Sequence, residues 1–136
     1  EPVGDVRGTL QRLQKAGIVL ALITTDSRAP TEHTLARLGL GSFFAIVLCG
    51  DDGLPNKPAP DMALEVCRRV GIPPKQTAMI GDTIADMNMA HKAGYGWAIG
   101  VASGALSAKA LAPHADLVIP DVNAIEVIMP DEDEER

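Results

Sequence analysis

The run Ile18-Val19-Leu20-Ala21-Leu22-Ile23 narrows the fold more than any other feature of this chain. No polar residue interrupts it, and it has the length of a strand. Before it, Val6, Leu10, Leu13 and Ala16 recur at helical spacing among Gln11, Arg12, Gln14 and Lys15, and Gly17 reads as the helix stop. A strand that is apolar on both faces needs cover on both faces, as in a parallel sheet flanked by helices.

The same alternation continues to the end of the chain. Helices are expected near residues 31–38, 61–70, 84–93 and 105–111, with a last one near 122–129. Strands are expected near 45–48, 77–80, 97–101 and 117–119. Gly39, Gly71 and Gly94 stand where helices should stop. The pattern predicts an α/β fold, a parallel sheet with helices on both faces and right-handed crossovers. Residues 1–129 read as one core domain and residues 130–136 as an acidic C-terminal tail. Ligands of such sheets bind beyond the carboxyl ends of the strands, which directs attention to the loops after Ile23, Leu48 and Ile80.

Composition removes several function classes. The net charge of −6 argues against a nucleic-acid footprint, which needs a basic stripe. No apolar run approaches the roughly 18 residues of a membrane span, and the start carries no leader pattern. Cys49 and Cys67 lack a framework spacing, so buried thiols in a reducing cytoplasm are expected rather than a disulfide. With aromatic residues at only 3%, the core must come from aliphatic residues, and Met79, Met87 and Met89 are expected to fill gaps in it. His33, His91 and His114 have no metal-ligand spacing and read as helix-surface or loop residues.

Three loops carry candidate chemistry. After Ile23 comes Thr24-Thr25-Asp26-Ser27, whose hydroxyls and turn N–H groups can donate to a phosphoryl oxygen or simply cap the next helix. After Leu48 a loop shaped by Gly50, Gly53, Pro55, Pro58 and Pro60 holds Lys57. That lysine could neutralise a phosphate dianion or lie on the surface. After Ile80, Gly81-Asp82-Thr83-Ile84-Ala85-Asp86 places two carboxylates one helical turn apart. They suit Mg²⁺, or an N-cap Asp followed by a solvated Asp in the first turn.

A hydroxyl, a lysine and an acidic pair in that order, each after its own strand, resemble the haloacid-dehalogenase (HAD) superfamily of hydrolases. Leu22-Ile23-Thr24-Thr25 is similar to its second motif, Lys57-Pro58-Ala59-Pro60-Asp61 to its third, and Gly81-Asp82-Thr83-Ile84-Ala85-Asp86 to its fourth. Gly39-Leu40, Phe43-Phe44 and Ala90-His91-Lys92-Ala93-Gly94 match the flanks, and the similarity runs from about Val3 to Ile128. It is nearest to the phosphoglycolate-phosphatase-like branch. The resemblance implies a Rossmann-like core and Mg²⁺-dependent hydrolysis of a small phosphomonoester through an aspartyl-phosphate. It implies catalytic roles for Thr24, Lys57 and Asp82, phosphate contacts from Thr24, Thr25 and Lys57, and metal ligation by Asp82 with support from Asp86.

The family's first motif, DxDGT after an apolar strand, has no match. Asp5-Val6-Arg7-Gly8-Thr9 lacks a preceding strand and carries Arg7 where the second aspartate belongs. Without that nucleophile the chain is expected to be inactive alone, as a truncated, nicked or non-catalytic form, and the cap that selects substrate is missing with it. A non-catalytic phosphate- or metal-binding or assembly module is the competing reading. A receiver-like signalling domain fits less well, since the order Thr24, Lys57, Asp82 disagrees with it. The missing strand would lie between the strands ending at Ile23 and Ile80. Those two should therefore pair with each other, or a second copy of the chain or a separate N-terminal fragment should fill the gap.

Overall fold

A computed structural model describes residues 6–102 and 106–121. The expected helix 122–129, the acidic tail and Asp5 lie outside the described residues. In chain order the elements are α1 (Val6–Lys15), β1 (Ala21–Ile23), α2 (Arg28–Leu38), β2 (Ile46–Leu48), α3 (Asp61–Val70), β3 (Ala78–Gly81), α4 (Ile84–Ala93), β4 (Trp97–Val101), α5 (Ala108–Leu111) and β5 (Leu117–Ile119). Short 3₁₀ turns at Gly41–Phe43, Pro74–Gln76 and Ala112–His114 join them. The glycine stops hold: Gly17, Gly39, Gly71 and Gly94 all have positive φ.

The strands are parallel throughout, as the alternation predicts, but they form two sheets. One pairs β1 with β2, with Ala21 opposite Ile46 and Ile23 opposite Leu48. The other runs β3-β4-β5, with Ala78 opposite Trp97 and Ile99 opposite Leu117. Direct pairing of β1 with β3, one of the three expected outcomes, does not occur. Each of these strands keeps one unpaired edge among the described residues.

This division explains why the first strand is shorter than its apolar run. Six apolar residues could form a ladder, but only Ala21–Ile23 stand in register with β2, and Leu20 adds a single bond by accepting the Ala45 N–H at 2.8 Å. Ile18 and Val19 remain 43% and 47% exposed. The backbone of Ile18 turns back to donate to the Leu13 carbonyl at 3.1 Å, closing α1 rather than extending β1.

α3 and α4 cover both sheets from one side. Ile46 and Leu48 of β2 pack with Met62, Ala63 and Val66 of α3 and with Met89 and Ala93 of α4, while Ile23 of β1 and Met79 of β3 border the same cluster. A second cluster joins Met87 and Ala90 of α4 to Ala98 of β4 and Leu111 of α5. Met87 and Met89 are completely buried, so the methionines fill the interior as composition requires, each burial worth about 2 kcal/mol. Register places Ile80, Trp97, Ile99 and Leu117 on the opposite face of the three-stranded sheet. There Ile80, Trp97 and Leu117 are 38%, 55% and 54% exposed.

At the start of β4, Tyr95-Gly96-Trp97 fixes the entry to the strand. The Gly96 N–H donates to the carbonyls of Pro74 and Thr77 at 3.0 and 2.9 Å, aligning β4 with β3. Tyr95 donates its hydroxyl to the Ala63 carbonyl at 2.7 Å, tying that junction to α3.

Candidate active site at the carboxyl edge of the strands

The loops after β1 and β2 are joined by backbone bonds. The Thr24 N–H donates to the Leu48 carbonyl at 3.0 Å, and the Gly50 N–H donates to the Asp26 carbonyl at 2.8 Å. Gly50 is required there, because a Cβ at this position would run into the Thr25 carbonyl. Thr24 is half-buried, and its Oγ1 accepts the Asp26 N–H at 3.0 Å. That bond uses a lone pair and leaves the hydroxyl proton free to donate. Thr25 is exposed.

The loops after β2 and β3 are joined by charge. Lys57 reaches Asp86 with its Nζ 2.5 Å from Oδ1, both side chains largely out of solvent. The Lys57–Pro58 peptide is cis. Thr83, not Asp82, is the N-cap of α4: its Oγ1 accepts the Asp86 N–H at 3.1 Å, and Asp86 Oδ2 accepts the Thr83 N–H at 3.3 Å, a reciprocal capping box. Asp86 is therefore buried and doubly engaged rather than solvated in the first turn. Gly81 makes room for it, since a Cβ there would collide with the Asp86 carboxylate.

Asp82 sits half-buried just past β3, before the capping box. Among the described residues it has no hydrogen-bond or ion-pair partner. The two expected metal ligands differ in their partners: Asp82 makes no such bond among the described residues, while each oxygen of Asp86 already accepts one, from Lys57 or from the Thr83 N–H. No group of three or more His, Cys, Asp or Glu among the described residues could hold a metal ion. The donor set fits a largely hydrated Mg²⁺ taken by one carboxylate, the ion's ordinary habit beside phosphate.

A second polar knot lies beside Thr24, outside the residues that the motifs single out. Arg28, the first residue of α2, grips Asp52 through Nε to Oδ1 at 3.1 Å and Nη2 to Oδ2 at 2.6 Å. Its Nη2 also donates to the Val47 carbonyl at 2.8 Å and its Nη1 to Glu32 at 3.1 Å. Asp52 is held below the usual carboxylate range first by Arg28 and then by the Cys49 N–H. The adjacent acids Asp51-Asp52 after a strand are the sequence signal, but spacing does not reveal their partner.

The cysteine and histidine side chains take no part in the Lys57–Asp86 contact. Cys49 and Cys67 are free and buried, as expected. The His91 ring contacts the His114 carbonyl at 2.7 Å, and His33 is exposed. No helix among the described residues is long and apolar enough to cross a membrane.

Residues 1–94 match the family model of the haloacid dehalogenase-like hydrolases. The chain is 37% identical over 89 residues to phosphoglycolate phosphatase of Escherichia coli K12, covering 65% of this chain and 35% of that protein. It is 32% identical over 121 residues to phosphoglycolate phosphatase of Pseudomonas putida, covering 88% of this chain and 44% of that one. Among solved structures it superposes on a HAD phosphatase from Thermococcus onnurineus with a TM-score of 0.78 at 26% identity, over 90% of this chain and 55% of that chain. The chain therefore spans between about a third and a little over half of the relatives it matches. By the family match, which spans residues 1–94 and so more than half of its length, this chain belongs to the haloacid dehalogenase-like hydrolases.

Proposed function

We propose that the chain forms the phosphate-handling part of a Mg²⁺-dependent phosphomonoesterase that works through an aspartyl-phosphate. The observation that carries this reading is the Lys57–Asp86 pair, which ties a cation from the loop after β2 to the start of α4, four residues along the chain from Asp82. Lys57 has three N–H donors and spends one on Asp86, which leaves two for phosphoryl oxygens. The Thr24 hydroxyl supplies a further donor, and the exposed Thr25 can add its own. Mg²⁺, when bound, would offset phosphoryl charge, and Asp82 is the residue that would hold it.

The nucleophilic aspartate is assigned to a segment other than the described residues, in the place between β1 and β3. Relatives named phosphoglycolate phosphatase make a small two-carbon phosphomonoester the first substrate to try. The buried free thiols suit a reducing cytoplasm. The competing reading is a phosphate- or metal-binding or assembly module without catalysis, for which the open edges of β1 and β3 would serve as the assembly surface.

A titration of the chain with inorganic phosphate in Mg²⁺, followed by amide chemical shifts, tests the proposal. Thr24, Thr25 and Asp82 amides should move in the wild type and stay still in Lys57→Met. No p-nitrophenyl phosphate hydrolysis is expected from the chain alone. Turnover by the chain that disappears in Asp82→Asn would refute the assignment of the nucleophile. Phosphate binding without turnover by the complete protein would favour the non-catalytic module.

A further inference from the structure

We propose that Arg28 is a positioning residue that clamps the loop after β2 to the loop after β1 and thereby sets the spacing between Thr24 and Lys57. The proposal rests on the phosphate-binding reading of those two residues and adds a part to it. Arg28 joins three points of the β2 segment at once. Its guanidinium meets the Val47 carbonyl and both oxygens of Asp52, and its backbone N–H donates to Asp51 Oδ1 at 2.9 Å. Asp52 in turn accepts the Cys49 N–H at 2.8 Å, so the clamp reaches the backbone where β2 ends.

The clamp also does what local sequence fails to do for α2. Ser27 is the N-cap, yet its side chain makes no capping bond. Asp51 takes that duty from the neighbouring loop through the Arg28 N–H. The helix start just past Thr24 is thus capped by the loop that carries Lys57. An isolated surface ion pair would contribute little. This one combines a two-pronged arginine–carboxylate contact, a carbonyl and two backbone N–H groups, which fixes direction as well as distance.

A competing role, direct contact between Arg28 and phosphate, makes the opposite prediction for one variant. Asp52→Asn weakens the grip on the guanidinium. If Arg28 touched phosphate, freeing it would strengthen binding; if Arg28 is a clamp, binding weakens.

The test uses the wild-type chain with Arg28→Gln, Arg28→Lys, Asp52→Asn, the double variant Arg28→Gln/Asp52→Asn, and Glu32→Ala, which removes the guanidinium's contact within α2 and leaves its contacts to the β2 segment. Inorganic phosphate affinity should fall about tenfold in Arg28→Gln and in Asp52→Asn, with no further loss in the double variant. Arg28→Lys should not rescue it, because an ammonium cannot make the two-pronged contact. Glu32→Ala should bind as the wild type. Hydrogen exchange at the Gly50 amide, which bonds Asp26 across the junction, should accelerate in every variant that weakens phosphate binding. Unchanged affinity with unchanged Gly50 exchange in Arg28→Gln would overturn the proposal, as would tighter binding in Asp52→Asn. If the wild type bound no phosphate, the functional reading would fall, and Gly50 exchange would still decide whether Arg28 clamps the loops. Should Arg28→Gln fail to fold, Asp52→Asn carries the same two readouts.

Discussion

Lys57 and Asp86 meet at 2.5 Å although they belong to motifs on different loops, and the carboxylate that receives the lysine also caps the helix it starts. One side chain therefore serves fold and site together. Asp86→Ala should destabilise the chain by about 3–5 kcal/mol, the usual cost of breaking a buried pair from one side. Asp86→Asn keeps an acceptor for the Thr83 N–H and should lose distinctly less. Urea unfolding of both variants at neutral pH measures the difference.

Gly50→Ala tests the junction between the first two loops. The added methyl meets a backbone carbonyl, that of Thr25, which cannot swing aside as a side chain end would. A loss of about 1–3 kcal/mol is expected, as for overpacking elsewhere. Faster hydrogen exchange at the Gly50 amide should accompany it, since this N–H bonds the Asp26 carbonyl.

Acid should weaken the protein through two carboxylates. Glu65 is pulled from its ordinary 4.5 down to about 2 by hydrogen bonds first from Arg68 and then from Arg69, and Asp52 is lowered by Arg28. Both folded values lie below the unfolded ones. Their stabilisation is thus complete above the ordinary carboxylate range and lost as pH falls through the folded values. Urea midpoints should decline from about pH 5 towards about pH 2, and Glu65→Gln should flatten part of that slope. Because the arginines are exposed, the Glu65 share should shrink in high salt.

Alkali acts on Tyr95. Burial, more than the nearby Cys67, holds its phenol above the ordinary 10. The folded state therefore favours the neutral ring, and its contribution is whole below about pH 10 and declines above it. Tyr95→Phe should remove that alkaline slope. At neutral pH it should cost about 1 kcal/mol for the lost bond to the Ala63 carbonyl.

Elements whose signals are local are legible in the sequence. Asp61–Val70, Ile84–Ala93, Trp97–Val101 and Leu117–Ile119 fall where apolar spacing and glycine stops place them. The strand through Ile18 falls short of its apolar run because pairing depends on a neighbour, and β2 offers only three residues. Acidic residues after a strand suit metal or a helix start, and the spacing of Asp82 and Asp86 does not show that Thr83 takes the N-cap and Asp86 the reciprocal bond. The partners of Arg28 are set by how two loops fold together, so no periodicity announces them.

The split between the two sheets also bears on how the chain melts. No ladder of backbone bonds links β1 to β3 among the described residues, so the Ala21–Leu48 half and the Ala78–Ile119 half communicate through α3, α4 and the Lys57–Asp86 contact. Side-chain packing couples unfolding units less tightly than a continuous ladder, and a domain of this size is ordinarily all-or-none. In a calorimeter the chain by itself should show a van't Hoff enthalpy smaller than the heat absorbed, the mark of two partly independent transitions. A segment that seated itself between β1 and β3 would merge them into one.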